Sequence, residues 1–384
     1  MERRPCVPRE GWRARVEARG FPLHTARGPY WDETACWLFT NRDVEILERA
    51  TAELHRLTLE AVEHVVTSER WWDRLHVPAP LVPAIRASWE ANGGQGAPSI
   101  YGRMDLAWNG EGLPRLLEYN ADTPTALIEA AVLQWDWLED VAAEDDQWNS
   151  IHERLVAGWK DLAPFLRAGP LHFASGDDPE DVLTATYLQD TAAQAGLATV
   201  FIEMKDLGWD GRRFVDLQDR PILSCFKLYP WEWLAREEFG AHLPAADTVF
   251  VEPPWKTIVS NKAFLALLWE LFPGHPNLLP ARLGEPGHGM RSWARKPIFG
   301  REGNDVILVR DGEPFASGPR GGYGEEGFVF QQLYEWGDRL GGRTPVLGSW
   351  LVQGEPAGLG VREGDGPITD DASRFVPHLI LDRE

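Results

Sequence analysis

The clearest hydrophobic pattern in the chain is helical and lies in residues 41–68. Apolar side chains recur there at the spacing that places them on one face of an α-helix: Val44, Leu47, Leu54, Leu57, Val62 and Val65. Asn41 is a residue type that caps helix N-termini, so we expect this helix to begin there. A second helix is expected over 80–91. The pattern therefore predicts a mainly helical N-terminal region over residues 1–95.

The middle of the chain alternates between helical and strand-like patterns. Helices are predicted over 125–141 and 147–166. Residues 169–176 have the pattern of a short apolar strand, which is followed by a helical stretch over 180–196 and a β-branched stretch over 197–209. This strand–helix–strand order predicts a small α/β domain, for which we take residues 168–250.

The last third of the chain begins with a helix and continues as strands. Ser260 or Asn261 can cap a helix from Lys262 to Phe272. From residue 291 onward, strand-like stretches are separated by glycine turns, and Asp311–Gly312 is a typical hairpin turn. Together with the earlier elements, this predominantly antiparallel region over 251–384 predicts the α+β class.

A hairpin over residues 98–122 carries polar side chains where strand residues are expected. With strands over 98–108 and 113–122, Trp108 faces Leu113, so that Arg103 faces Glu118. Because side chains alternate along a strand and facing residues share a side, one face of the hairpin carries four polar groups: Arg103, Asp105, Glu118 and Asn120. This conclusion holds for a register shift of two residues but not of one.

Three interpretations of this polar face remain open at this point. Asp105 and Glu118, as diagonal neighbours, can converge on a cation, and the Asn120 carbonyl adds a hard oxygen ligand that suits Mg²⁺ better than zinc. Arg103 beside them can hold a phosphate or a carboxylate. The face can also be a solvent-exposed surface with an Arg103–Glu118 ion pair, or a pair of glycosidase carboxylates.

A glycine loop and several basic residues point to phosphate binding. Gly300 and Gly303 follow a strand, and such a loop lets backbone N–H groups approach phosphate oxygens. Lys296 precedes the loop, and Lys262 lies at a helix N-terminus, where anions are favoured. Each lysine alone is typical of a surface. Together with Arg362 and the acidic hairpin face, they predict a nucleoside triphosphate site.

Composition narrows the class of partner. The net charge of −21 argues against nucleic acids and anionic membranes as partners and suits a cationic substrate or a metal. No apolar run of about 18 residues is present, so we expect a cytoplasmic protein without a membrane span. The cysteines are widely scattered and lack CxxC spacing, which argues against a disulfide framework or a thiolate zinc site: Cys6, Cys36 and Cys225.

Several sequence blocks, in order, resemble a known family. "YGRMDL", "LLEYNADTPT", "VEPPWKTIVSNKAFLALLWELFP", "RKPIFGREGNDV" and "FVFQQLYE" are similar to the synthetase domain of glutathionylspermidine synthase and its stand-alone relatives, which are ATP-grasp acid–amine ligases. The resemblance runs from about residue 20 to the C-terminus. It implies an ATP-grasp fold that holds ATP between two sheets, with residues 96–167 as the first part of the catalytic core. The 168–250 domain would then be a pre-ATP-grasp-like substrate domain.

The resemblance also implies roles for individual residues. Asp105, Glu118 and Asn120 would bind Mg²⁺, and Arg103 and Arg362 would act on the transferring phosphoryl group. The nucleotide would contact both arginines and a further set of residues: Lys262, Lys296, Gly300, Arg301, Gly303, Gln331, Gln332, Leu333 and Tyr334. Asp122 and Thr123 would lie near the acid substrate.

The leading hypothesis is an ATP- and Mg²⁺-dependent ligase that joins a peptide or amino-acid carboxylate to a polyamine-like amine. At 384 residues, we expect the chain to lack the additional amidase domain of the bifunctional family members. One rival hypothesis is a carbohydrate-active or carbohydrate-binding protein that uses the Asp105/Glu118 pair and some of the 19 tryptophans. Another is a non-catalytic ATP-binding relative. We expect small-molecule partners and a monomer or homodimer.

Overall fold

The chain is a mixed α/β protein with several sheets. A computed structural model describes residues 1–381 except residues 27, 69, 95, 338, 339 and 341. The α-helices are α1 (Trp12–Ala18), α2 (Asn41–Ser68), α3 (Val82–Gly94), α4 (Gln134–Val141), α5 (Ile151–Leu162), α6 (Pro179–Gln194), α7 (Trp231–Leu234) and α8 (Ala263–Leu271). None of the helices in the described part of the chain is both long and apolar enough to cross a bilayer.

The strands are short, and most belong to sheets of three to five strands. In the first half of the chain they are β1 (Glu2–Pro5), β2 (Ala35–Phe39), β3 (Tyr101–Ala107), β4 (Arg115–Asn120), β5 (Leu171–Ser175), β6 (Thr199–Glu203), β7 (Gly208–Trp209), β8 (Phe214–Val215), β9 (Ser224–Leu228) and β10 (Val249–Val251). In the second half they are β11 (Ala281–Leu283), β12 (Trp293–Pro297), β13 (Ile307–Arg310), β14 (Glu313–Ser317), β15 (Phe328–Gln332), β16 (Val346–Val352), β17 (Glu355–Glu363), β18 (Arg374–Val376) and β19 (His378–Ile380).

Helix α2 has the predicted extent, but its capping residue is one position earlier than predicted. The Oγ1 of Thr40 accepts the amide of Asp43 at 3.1 Å, and the Asp43 carboxylate accepts the amide of Thr40 at 3.0 Å. This reciprocal arrangement satisfies two backbone donors, so Thr40, and not Asn41, caps the helix. The predicted apolar stripe of α2 is buried in the main hydrophobic core.

The N-terminal region contains a sheet that the helical prediction omitted. Strand β1 pairs antiparallel with β2, and β2 pairs parallel with the C-terminal strand β19. Strand β1 has the charged sequence ERRP, which lacks an alternating apolar pattern. Its pairing depends on residues that are 30 to 36 positions away in the sequence, and local periodicity carries no information about that partner.

Residues 171–251 contain a parallel sheet in the order β10-β9-β5-β6. Helix α6 connects β5 to β6, so the predicted strand–helix–strand order is present. The carboxyl end of β9 leads to α7, which reaches the cavity described below.

Two five-stranded sheets contain half of the predicted site residues. One has the order β18-β17-β16-β3-β4 and the other β11-β15-β12-β13-β14, and all of their pairs are antiparallel. The predicted turn at Asp311–Gly312 joins β13 to β14, and both residues have positive φ angles, as a type I′ hairpin turn requires.

Candidate active site

A cavity of about 460 Å³ lies between the two five-stranded sheets, with α7, α8 and the start of α6 also contributing residues. Every predicted site residue except Asp122 lines it. Residues that are as far apart as Arg103 and Arg362 in the sequence therefore meet in one space. The hydrogen bonds and ion pairs of these side chains determine which ligands the cavity can bind.

The polar face of the β3–β4 hairpin exists, but in a different register from the one predicted. Arg103 faces Asn120 and Asp105 faces Glu118, because a β-bulge after Asp105 places Leu117 as an extra residue in β4. The shift is two residues at Asp105, so the four polar side chains remain on one face. Asp105 and Glu118 are directly opposite each other rather than diagonal neighbours.

Arg103 and Asp105 form a buried bidentate ion pair. The Arg103 Nε lies 2.6 Å from Asp105 Oδ1, and its Nη2 lies 3.0 Å from Oδ2. A further guanidinium nitrogen of Arg103 donates to the Thr125 carbonyl at 2.5 Å. Burial raises the pKa of Asp105 above its usual value, and the positive charge of Arg103 offsets part of this rise. Arg103 is thus fixed with its guanidinium at the cavity wall.

Glu118 lies in a strongly positive environment. Lys262 Nζ is 3.1 Å from its carboxylate. Burial alone would raise the pKa of Glu118, but the charges of Lys262 and Lys296 outweigh it and hold this pKa well below the usual value. Glu118 is therefore ionised and available as a hard anionic ligand.

The facing carboxylates and Asn120 form a donor set that fits a hard divalent cation. The Asn120 amide lies 3.2 Å from Asp105 Oδ2 and 3.3 Å from Glu118 Oε1. A flip of this amide would direct its oxygen toward the same point, since the two ends of an amide differ only in their hydrogen bonds. Among the described residues, no group of three or more His, Cys, Asp or Glu could hold a metal. A cation here would take the Asn120 oxygen and water as further ligands, as Mg²⁺ commonly does.

Lys296 lies on β12 and connects the two sheets. Its Nζ donates to the Leu117 carbonyl at 2.9 Å and to Gln331 Oε1 at 2.7 Å, and Gln331 in turn donates to the Leu116 carbonyl at 2.8 Å. Burial lowers the pKa of Lys296 to about 8. The residues that follow Gln331 also line the cavity: Gln332, Leu333 and Tyr334.

The glycine loop over residues 300–304 forms another part of the cavity wall. Lys262 Nζ donates to the Gly300 carbonyl at 2.5 Å, so the loop is joined to the start of α8. Gly303 has a φ of 68°, and a Cβ there would lie 2.6 Å from the Thr369 carbonyl oxygen. Only glycine fits this position without displacing backbone. The guanidinium of Arg301 pairs with Glu232 at 2.6 Å and lies over the Trp233 ring.

Asp122 and Thr123 are neighbours in the sequence but have different surroundings. Thr123 lines the cavity, and its hydroxyl lies 3.5 Å from the Arg301 guanidinium. Asp122 is only 3% exposed; its carboxylate pairs with Lys227 Nζ at 2.6 Å and accepts the amide of Trp231 at 2.9 Å. It connects the end of the hairpin to β9 and α7. Its surroundings are those of a structural ion pair.

A second buried lysine fixes both ends of the hairpin. Lys256 Nζ donates to the carbonyls of Tyr101 at 2.6 Å and Ala121 at 2.7 Å, and it lies 2.7 Å from Glu252 Oε2. Tyr101 begins β3, and Ala121 follows the last residue of β4. The other oxygen of Glu252 accepts the amides of Ile100 and Tyr101. The ion pair therefore sets the position of the segment that carries the proposed metal ligands.

Sequence reasoning missed an acidic part of the cavity. Asp178, Glu180 and Asp181, at the start of α6, line it together with Glu232 from α7. Burial, with the negative charges of Asp178 and Glu180, raises the pKa of Asp181 to about 7. The only signal in the sequence was the density of carboxylates in "GDDPED", which is also common on solvated surfaces.

A protein-family model described as "Glutathionylspermidine synthase preATP-grasp" matches residues 3–381. The chain belongs to this family. The match covers nearly all of the chain, including both five-stranded sheets, and it confirms the resemblance that the sequence blocks indicated.

Relatives of this glutathionylspermidine synthase family member include proteins of similar and of greater length. A Haemophilus influenzae protein named as an acid–amine ligase is 36% identical over 366 residues, which are 92% of this chain and 91% of the relative. Trypanothione synthetase of Crithidia fasciculata is 29% identical, with 84% of this chain and 53% of the relative covered. The bifunctional glutathionylspermidine synthetase/amidase of Escherichia coli is 27% identical, with 87% and 57% covered. The chain thus spans about half the length of the latter two proteins.

Proposed function

We propose that the protein is an ATP- and Mg²⁺-dependent carbon–nitrogen ligase that couples a carboxylate to an amine. The observation that carries this proposal is the convergence, in one cavity, of the Asp105–Glu118–Asn120 donor set with Arg103, Lys262 and the glycine loop. An acidic metal-binding face opposite basic, phosphate-binding groups is what phosphoryl transfer requires. The family membership and the names of the relatives support the same class of reaction.

In the proposed complex, an ATP-grasp arrangement, the nucleotide lies between the two five-stranded sheets. Gln331 to Tyr334 would border the adenine, and Lys262, Lys296 and the 300–304 loop would contact the phosphates. Lys296 already spans the two sheets through Leu117 and Gln331, which supports its placement between base and phosphates. Thr123 would lie beside the acid substrate. For Asp122, the buried contacts support a structural role instead.

The chemistry divides into two transfers. A carboxylate oxygen of the acid attacks the γ-phosphorus of ATP, and ADP leaves, so that an acyl phosphate forms. The amine nitrogen then attacks the acyl carbon, loses a proton, and displaces inorganic phosphate as the amide forms. Asp105, Glu118 and Asn120 would hold Mg²⁺, which supplies charge neutralisation at the phosphates. Arg103 and Arg362 would stabilise the negative charge that develops during both transfers.

The acidic part of the cavity supports a cationic amine substrate. Four carboxylates line the same cavity as the glycine loop and Lys296: those of Asp178, Glu180, Asp181 and Glu232. Protonated amino groups of a polyamine-like molecule would be attracted there, because opposite charges in a partly desolvated cavity interact strongly. The net charge of −21 acts in the same direction.

The proposal is tested by turnover of the purified protein. ADP release would be followed with ATP, Mg²⁺ and panels of amino-acid or peptide carboxylates and of amines, with products identified by mass spectrometry. We expect ADP release that depends on both an acid and an amine. Glu118→Gln should abolish it, whereas Glu355→Gln, at an exposed strand position, should not. ATP binding without amine-dependent turnover would support a non-catalytic relative instead.

A thermal-shift screen separates the ligase from the carbohydrate hypothesis. Many of the tryptophans that motivated that hypothesis are fully buried in the core: Trp31, Trp37, Trp71, Trp108, Trp137, Trp159, Trp231 and Trp350. We therefore expect stabilisation by Mg-ATP and none by oligosaccharides. Stabilisation by oligosaccharides alone would contradict the ligase proposal.

A further inference from the structure

Two cysteines that are 30 residues apart meet at the edge of the N-terminal sheet. Cys36 lies in β2, and Cys6 directly follows β1, with its amide donating to the Thr34 carbonyl at 2.8 Å. Their Sγ atoms are 3.1 Å apart. Both are free thiols in this structure. Because a disulfide bond joins sulfur atoms about 2.0 Å apart, a movement of about 1 Å would complete the bond.

We propose that Cys6 and Cys36 are a redox modification site that forms a reversible intramolecular disulfide. The co-reactant is a low-molecular-weight disulfide of the glutathione type, written RSSR. The thiolate of Cys6 attacks one sulfur of RSSR and releases RS⁻, which takes up a proton to become RSH. The sulfur of Cys36 then attacks Cys6 Sγ in the mixed disulfide and releases the second RSH. The two cysteines are oxidised, and RSSR is reduced to two thiols.

The surroundings assign different roles to the two thiols. Cys6 is half-buried and therefore reachable by a small disulfide, whereas Cys36 is only 1% exposed. Burial raises the pKa of the Cys36 thiol above its usual value, which leaves Cys6 as the residue that starts the exchange. The positive charges of the nearby Arg3 and Arg4 offset part of this rise in the pKa of Cys36, because positive charge favours the thiolate.

The disulfide would fasten a segment that contacts Glu363, the chain neighbour of a residue that lines the candidate active site. Arg3, on β1, pairs with the buried Glu363 at 2.6 Å, and Trp37, on β2, donates to the same carboxylate at 3.1 Å. Glu363 directly follows Arg362, which lines the cavity. A bond between Cys6 and Cys36 joins the chain beside both contacts, so we expect oxidation to protect β1 and β2 against local opening. Formation of the disulfide is independent of the proposed ligase activity.

The test uses the full-length folded protein and oxidised glutathione. Intact mass would be measured after incubation, and non-reducing peptide maps would locate any bond. We expect the loss of two hydrogen atoms, a linked peptide pair containing Cys6 and Cys36, and slower amide exchange in 2–5 and 35–39 that dithiothreitol reverses. Cys225→Ser should behave like the wild type, since Cys225 is buried in β9; Cys6→Ser and Cys36→Ser should form no internal bond.

Several results would overturn the proposal. A stable glutathione adduct on Cys6 without an internal bond would show that the second exchange does not occur. An unchanged mass under conditions that oxidise an unfolded control would show that the pair is inert. A bond that involves Cys225 would assign the modification to a different site. Because the decisive measurement is made on the wild-type chain, it does not depend on whether either serine variant folds.

Discussion

Replacing Asp122 with alanine should destabilise the folded protein strongly, because it leaves the Lys227 ammonium buried without its counterion. Lys227 is fully buried, and its Nζ lies 2.6 Å from the Asp122 carboxylate. In the described part of the chain, its other hydrogen bond is to the Tyr229 carbonyl at 2.9 Å, and its ammonium also lies over the Trp231 ring. The amide of Trp231 would lose its acceptor as well. Removing one partner of a buried ion pair costs about 3–5 kcal/mol of unfolding free energy. At a slope of about 3 kcal/mol per M, the urea midpoint would fall by about 1 M or more.

The measurement is urea denaturation followed by tryptophan fluorescence. Asp145→Ala, at an exposed position, is the matched control and should leave the midpoint unchanged. The double variant Asp122→Asn/Lys227→Met removes both charges and keeps an acceptor for Trp231, so it should regain most of the lost stability.

The opposite pattern would contradict a stabilising role for the Asp122–Lys227 pair. If Asp122→Ala unfolded at the wild-type midpoint and yet lost ligase turnover, the carboxylate would be acting on the substrate, as the sequence resemblance implies. The buried Asp122–Lys227 pair would then not be stabilising the fold. A double variant as unstable as Asp122→Ala would show that charge pairing is not the source of the loss.

Lys256→Met should cost about 3–5 kcal/mol of unfolding free energy, because Glu252 is left unpaired in the core; an unchanged urea midpoint would contradict this. Burial raises the pKa of Glu129 to about 7 from an ordinary value of 4.5, so the folded state holds its proton more tightly and stability falls as pH rises between these values. In the Glu129→Gln variant, the fall of Tm with rising pH in this range should be smaller than in the wild type. The same slope in both proteins would show that Glu129 is not the titrating group. Thr40→Ala should cost about 1 kcal/mol through the lost cap of α2, measured by urea denaturation; no loss would show that the cap is dispensable.

The polar face of the hairpin was predictable because strand periodicity is local. Alternation places four residues on one side for every register that differs from the predicted one by an even number of residues: Arg103, Asp105, Glu118 and Asn120. The register itself was wrong, since the bulge after Asp105 has no marker in the sequence. Likewise, the glycine requirement at Gly303 comes from the nearby Thr369 carbonyl, which only the folded chain provides.

The sequence by itself determined the α2 helix, the strand–helix–strand order around α6 and the set of groups on the hairpin face, because periodicity fixes side-chain direction within an element. Only the tertiary structure determines which residues the faces of these elements contact. The Asp122 side chain lies in the core, whereas Thr123 lines the cavity. The carboxylates at the start of α6 line the same cavity as the glycine loop. The tertiary structure also places Cys6 beside Cys36. These outcomes depend on packing between distant segments, and a local pattern contains no information about the partner.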